Sequence, residues 1–377
     1  MKREFYVALC FSLLLGGCAR STKMLNVVPK NETEVIEIET KEEVTPVFSS
    51  DYQTLATALD AYLVEESFNG VSLIASGDEI ILFNSYGLAN VENQEPLTVD
   101  YQFQIASVSK SFVAVSILQL VEARKLTLDQ TIDKYFPDMP NAKEITIHQL
   151  LTHTSGLYSG DDLTNYSEVT SVEEIISPAF QPSNLYYEEP GTYSIYSNLG
   201  YDVLGAIVEK VSGMPYEKYL EENILIPADM TQSGLNIEGN ALEKLATAYN
   251  GNIEENYEAK VLHPSFGYSS GGLHSTAMDL YKYDRALKSN SLISQQSYDL
   301  MTQAYTKVGT KDYGYGWYID AGVEETISHT GNLIGWHSML LRHQDNKVTV
   351  ILLTNHDESD MFMAYNLARL VLAEVNE

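Results

Sequence analysis

In the stretch QIASVSKSFVAV, residues 104–115, Ser107 and Lys110 stand three apart, a spacing that puts two side chains on one face of a helix. A serine hydroxyl is a weak nucleophile and needs a base beside it to take its proton as it attacks a carbonyl. A lysine serves as that base when desolvation and nearby positive charge lower its pKa, because burial disfavours the ammonium form. The positive end of the helix favours negative charge growing on the serine oxygen. Ser109 lies off the lysine's face, and Ser111, next to Lys110 in sequence, points elsewhere. Taken alone, Ser-x-x-Lys is common and describes equally well a surface cap serine with a snorkelling lysine.

Two later segments change the weighing. In PGTYSIYSNLGYDVLGAIVEKVSG, residues 190–213, Tyr196 and Asn198 stand directly before an apolar helical stretch, so both can project from one short loop into a cleft. A phenol held near an ammonium can have its pKa lowered and act in proton transfer, while a side-chain amide can hold a substrate carbonyl. HTGNLIGW, residues 329–336, reads as the start of an edge strand, where Gly331 would let a substrate lie close to the backbone.

Other motifs compete. GYSSG, residues 267–271, fits the Gly-x-Ser-x-Gly elbow and would make Ser269 the nucleophile, but that elbow needs a strand before it and a helix at once after it. LHPSF precedes it, and the next helix starts near Ser275 or Thr276. His148 and His153 are five apart, off the helical spacing of a zinc pair, and no glutamate follows His148. No metal is expected; His153 is expected to bond locally beneath the site. Most of the 26 tyrosines are expected to be packing residues.

The elements that must position these groups are legible in outline. DYQTLATALDAYLVEESF, from Asp51, carries Leu55, Leu59, Tyr62 and Leu63 at helical spacing behind Ser50 or Asp51 as cap. VSLIA and IILFNSYG, joined by SGDE, read as a hairpin, and HSMLLRH and KVTVILLTN read as a second one before a last helix that begins at Ser359. One antiparallel sheet built from both chain ends, with helices against a face, is expected. Helix-like stretches dominate residues 110–286, which implies a mostly helical lobe inserted in an α/β frame.

The first eighteen residues, MKREFYVALCFSLLLGGC, have a charged start, an apolar stretch and small residues before a cysteine, as in a secretory signal. LLGGC resembles a lipobox, which would make Cys18 the lipidated N-terminus and the membrane link; a signal peptide cut nearby, or an uncut signal anchor, are the alternatives. Residues 19–50 are polar and acidic and read as a flexible tether, with VIEIE able to pair as a short strand. The folded domain is expected over residues 51–377. With Cys10 removed, the mature chain could form no internal disulfide. A net charge of −29 argues against nucleic acid as partner.

In this order FQIASVSKSF, LLTHTSGL (150–157), PGTYSIYSNLGYDVLG, SSGGLHSTAMDL (269–280), YGYGWYI (313–319) and HTGNLIGW resemble the serine β-lactamase and penicillin-binding superfamily. The branch resembled is the class C-like one, with D-alanyl-D-alanine carboxypeptidases, D-aminopeptidases and β-lactamase-fold esterases. The resemblance covers most of residues 51–377 and implies an α/β, serine β-lactamase-like fold. It implies Ser107 as nucleophile, Lys110 as its base partner, Tyr196 as second proton shuttle and Asn198 at the substrate carbonyl region. His329, Thr330 and Gly331 would form the third, substrate-binding motif, where many relatives have Lys-Thr-Gly. Backbone amides of Ser107 and Asn332 would form the oxyanion hole. The implied chemistry is acyl transfer without cofactor or metal, on an ester, a D-amino-acid amide or peptide, or a β-lactam. A catalytically weak penicillin- or peptidoglycan-binding envelope protein is the alternative.

Two features bear on the substrate. His329 is only partly charged near neutral pH, so recognition of a substrate carboxylate is less secure. No lysine or arginine occurs between Lys143 and Lys210, while Asp161, Asp162, Glu168, Glu173, Glu174, Glu188 and Glu189 do. Either these acids line the cleft and favour substrates with a free amine, or they face solvent elsewhere. Efficient β-lactam hydrolysis is not expected.

Overall fold

VTVILLT, residues 348–354, has the β-branched and aliphatic run of a strand covered on both faces. In the computed structural model Val348–Thr354 is buried along its whole length. It lies inside an antiparallel sheet of nine strands, in the order Thr306–Val308, Lys311–Tyr313, Tyr318–Asp320, Thr326–Leu333, Trp336–His343, Val348–Thr354, Gly70–Ser76, Glu79–Tyr86, Val47–Phe48. The expected hairpins are present, and Val348–Thr354 pairs with Gly70–Ser76, which joins the two chain ends.

The structure describes residues 23–27, 34–38, 47–48, 52–157, 171–181, 183, 189–236, 239–251, 257–259, 263–320, 325–343, 345, 347–357 and 359–375. The chain divides into two units, Met1–Thr45 and Pro46–Glu377. In the first, Lys23–Val27 pairs antiparallel with Glu34–Ile38, which holds most of VIEIE. The sheet, and everything that follows, belongs to the second.

Alternation along the strands splits the core in two, because successive side chains point to opposite faces. Ile74, Met339, Leu341, Val350 and Leu352 pack with Leu55, Leu59 and Leu63 of the helix Gln53–Glu65 and with Leu367 and Val371 of the helix Met363–Val375. Each leucine so buried stabilises the fold by roughly 2 kcal/mol. Val71, Leu73, Leu340, Ile351 and Leu353 join the second core, with Phe112, Val113 and Ile117 of the helix Ser109–Glu122. The two terminal helices therefore cover one face, as expected, and the helical lobe covers the other. The last helix starts at Met363 rather than Ser359, whose hydroxyl is engaged with that of Thr354 at 3.0 Å. The caps expected at Ser50 and Asp51 lie outside the described residues.

The lobe over the second face carries the helices Ile147–Leu151, Val172–Ile176, Asn198–Ser212, Tyr216–Leu220, Ala277–Lys288 and Gln295–Met301. Ser197 caps Asn198–Ser212 by accepting from Gly200 N, so the Tyr-x-Asn element ends where the helix begins. Asp284, wholly buried on Ala277–Lys288, is bonded by Arg342 and Arg285 and by Thr349 Oγ1 at 2.9 Å, which ties that helix to two sheet strands.

Candidate active site

The turn that carries Ser107 is held from several sides. Ile105 N donates to Leu273 O at 2.9 Å, and Ile105 O accepts from Ser338 Oγ at 2.8 Å. A Cβ at Gly331 would collide with that same Ile105 carbonyl and with the Ser338 hydroxyl. The glycine of the third motif therefore lets its strand lie against the turn that carries Ser107. Ala106 takes a left-handed φ of 45°, a conformation that costs an L-residue about 1 kcal/mol or more. The 3-10 turn Ala106–Val108 then runs into Ser109–Glu122, leaving Ser107 half-buried while Lys110 is wholly buried.

Lys110 Nζ lies 3.0 Å from Ser107 Oγ, 2.6 Å from Asn198 Oδ1 and 2.8 Å from Ser270 O. It also stands 4.8 Å from the centre of the Tyr196 ring. The amide and carbonyl oxygens can only accept, so they take two of the amine's hydrogens. The remaining position of the nitrogen faces Ser107, where a neutral amine presents its lone pair to the hydroxyl proton.

His329 is buried and linked to Thr330 O at 2.7 Å through Nδ1 and to Tyr313 OH at 3.1 Å through Nε2. A carbonyl cannot donate, so Nδ1 carries the proton and Nε2 accepts from the phenol. Burial, reinforced by the Lys110 charge, pushes its pKa down to about 3, so this imidazole is neutral at any physiological pH. The cation that many relatives place here is absent. Thr330 and Asn332 are the more accessible residues of the motif. Thr326–Leu333 pairs with Tyr318–Asp320 only through Thr326, Ile327 and Ser328. From His329 on it has no strand partner on that side among the described residues, so the motif is an edge within an interior strand.

Ser107, Lys110, Tyr196 and Asn198 thus meet at one place, and His329 stands 6.4 Å from Tyr196, ring to ring. Cys18 lies outside the described residues. Ser109 and Ser111 are structural: Ser109 Oγ accepts from Leu273 N at 3.3 Å, and Ser111 Oγ donates to Val108 O at 2.9 Å. Ser269 is wholly buried and donates to Tyr201 O at 3.0 Å, which removes it as an elbow nucleophile. Of the acids named for the rim, Asp161, Asp162, Glu168 and Glu188 lie outside the described residues. Glu173, Glu174 and Glu189 are exposed, and Glu174 is spent on a capping box with Ser171. Among the described residues no group of three or more His, Cys, Asp or Glu is placed to hold a metal ion.

Sequence reading missed three contributors. Ser270 supplies a carbonyl to Lys110, Tyr313 donates to His329 Nε2, and Asp202 accepts from Ser270 N at 3.0 Å. Burial pushes the Asp202 carboxyl up to about 7. Ser270, Tyr313 and Asp202 all lie inside quoted motifs, and Asp202 is an acid on an otherwise apolar helix, so a signal existed for each.

A serine under a buried lysine, at the junction of an antiparallel sheet and a helical lobe, defines the serine β-lactamase-fold hydrolases. The chain belongs to the Beta-lactamase family, whose description matches residues 55–374. It is 30% identical over 330 residues to a penicillin-binding protein of Bacillus subtilis, covering 81% of this chain and 72% of that one. A penicillin-binding protein structure from Bacillus halodurans shares 25% identity at a TM-score of 0.71, over 84% of this chain and 99% of that one. The D-amino acid amidase of Ochrobactrum anthropi, complexed with D-phenylalanine, has a TM-score of 0.76 at 24% identity, over 87% and 99% of the two chains; that likeness concerns the fold.

Proposed function

We propose that the protein is a serine hydrolase that forms an acyl-enzyme through Ser107 on an ester or a D-amino-acid amide, with β-lactams as poor substrates. The observation that carries the reading is the triple engagement of Lys110 Nζ with Ser107 Oγ, Asn198 Oδ1 and Ser270 O. Lys110 takes the hydroxyl proton as Oγ bonds to the carbonyl carbon. The carbonyl oxygen becomes an oxyanion, received by the backbone amides of Ser107 and Asn332. When the tetrahedral adduct collapses, the bond to the leaving group breaks, Tyr196 delivers it a proton, and the proton held by Lys110 passes to Tyr196 so that both regain their starting states. Water, giving a proton to the same pair, then attacks the acyl carbon; the bond to Ser107 Oγ breaks, the acid leaves and Oγ takes the proton back.

The neutral His329, with both ring nitrogens engaged, supports a substrate without a carboxylate at that position. A panel of p-nitrophenyl esters, D-alanyl p-nitroanilide and nitrocefin tests this. Ester or D-alanyl turnover exceeding nitrocefin turnover is expected. Efficient nitrocefin cleavage with neither of the others reverses the assignment. The likeness to penicillin-binding proteins supports a second, slower capacity, acylation by a fluorescent penicillin at Ser107, seen as an adduct by intact mass.

We also propose that the protein is lipid-anchored to the cell envelope through Cys18. LLGGC at residues 14–18, followed by an acidic segment, supports this. Among the described residues no helix is long and apolar enough to cross a membrane. Partition into the detergent phase is expected for the native protein and its loss for Cys18→Ala; an unmodified native protein in the aqueous phase sinks the anchor.

A further inference from the structure

Tyr196 projects from a loop, and a proton carrier on a loop needs something to hold it still. Both peptide N–H groups that flank it in sequence are tied to one residue. Ile195 N donates to His153 O at 2.9 Å, and Ser197 N donates to His153 Nδ1 at 3.0 Å. The imidazole also lies 4.4 Å from the Tyr196 ring, centre to centre, and is wholly buried. One residue further on, Thr154 O accepts from Gly191 N at 2.7 Å, so the clip continues as a short backbone pairing.

We propose that His153 is the positioning residue of Tyr196, acting as a two-point clip through its Nδ1 and its carbonyl oxygen. The inference rests on the hydrolase reading above, because it gives Tyr196 a position worth holding. Three features fit a clip and exclude a proton carrier. First, Nδ1 must be unprotonated to accept from Ser197 N–H, so the ring proton sits on Nε2. Second, among the described residues Nε2 is buried without a hydrogen-bond partner to take a proton onward. Third, burial and the nearby Lys110 and His329 hold its pKa well below the usual histidine value, so the ring does not charge in the working range. His153 also takes a left-handed φ of 59°, which aims its carbonyl and its ring at the same short loop.

The left-handed backbone makes a clean test available, since both glycine and asparagine tolerate it. His153→Gly removes the side-chain acceptor, while His153→Asn offers Oδ1 near the place of Nδ1. In His153→Gly the Ser197 amide is expected to exchange with solvent at least about tenfold faster than in the native protein. Its kcat on p-nitrophenyl acetate should fall roughly 100-fold, with KM within about threefold, the signature of a misplaced group rather than lost binding. His153→Asn is expected to recover both readings to within about tenfold and to keep both limbs of the pH–rate profile. Equal exchange and equal kcat in the two variants overturn the clip, as does loss of a pH limb in His153→Asn, which would make His153 itself the proton carrier. If the native protein shows no Ser107 adduct the hydrolase reading fails, whereas Ser197 exchange still decides whether the clip exists.

Discussion

Lys110→Met is expected to lower kcat/KM for ester hydrolysis by roughly 10³-fold or more while leaving the fold intact, the size of loss seen when a nucleophile loses its base. Methionine nearly fills the volume of the lysine stem but carries no lone pair for the Ser107 proton. Two effects on stability oppose each other. Removing a wholly buried amine relieves its desolvation, whereas Ser270 O and Asn198 Oδ1 lose a donor. Each is worth about 1–3 kcal/mol, so the melting temperature should stay within about 4 °C of the native value. Ser107→Ala is the companion: it should abolish the fluorophosphonate adduct. A Lys110→Met protein that keeps a tenth of native kcat/KM would remove Lys110 as the base.

The second large effect is acid lability from buried neutral histidines. His329 is pushed down to about 3, and His274 and His356 to about 4, in each case chiefly by burial; His153 lies well below its ordinary value for the same reason. A folded-state pKa below the unfolded one gives stability that is present above about pH 6.5 and lost as pH falls towards the folded pKa. Between pH 7 and pH 5 each of His329, His274 and His356 costs about 2 kcal/mol, so the three together cost roughly 6 kcal/mol, and His153 adds to the loss in the same direction. Asp202 works the other way. Its carboxyl, raised to about 7 by burial, favours the folded state as it protonates and returns roughly 2 kcal/mol over the same range. The net loss of roughly 4 kcal/mol is a large share of the whole stability of an ordinary domain. Urea unfolding at pH 7, 6 and 5 is expected to show a midpoint falling steeply with acid. Unchanged midpoints down to pH 5 would mean that these imidazoles are hydrated or charged in the folded state.

How much was legible depended on the range over which each feature is decided. The strands Gly70–Ser76 and Val348–Thr354 were readable because alternation and apolar runs are properties of short segments. Which helices cover which sheet face is not readable, because it depends on a packing choice between elements far apart in the chain. The last helix was placed four residues early, at Ser359, since a serine there looks like a cap until Thr354 is seen to hold its hydroxyl. Glu174 is one of the acids that either line the rim or face solvent elsewhere; the Ser171-x-x-Glu174 spacing is itself a capping-box pattern, and the structure spends the carboxylate on that cap.

At the site the division is sharper. The sequence alone singled out the candidates for chemistry: Ser107 and Lys110 about one helical turn apart, Tyr196 and Asn198 at the entry to an apolar helix, and a His-Thr-Gly strand, because such spacings are local. The tertiary structure decided what state those residues are in. Asn198 and Ser270, 88 and 160 positions from Lys110, take its hydrogens and turn its remaining position to Ser107. Tyr313 and the surrounding core make His329 a neutral, doubly bonded ring rather than a cation, and the close approach of Ile105 requires a glycine at Gly331. Burial, tautomer and close backbone approach are sums over neighbours distant in the chain, so no local pattern of residues carries them.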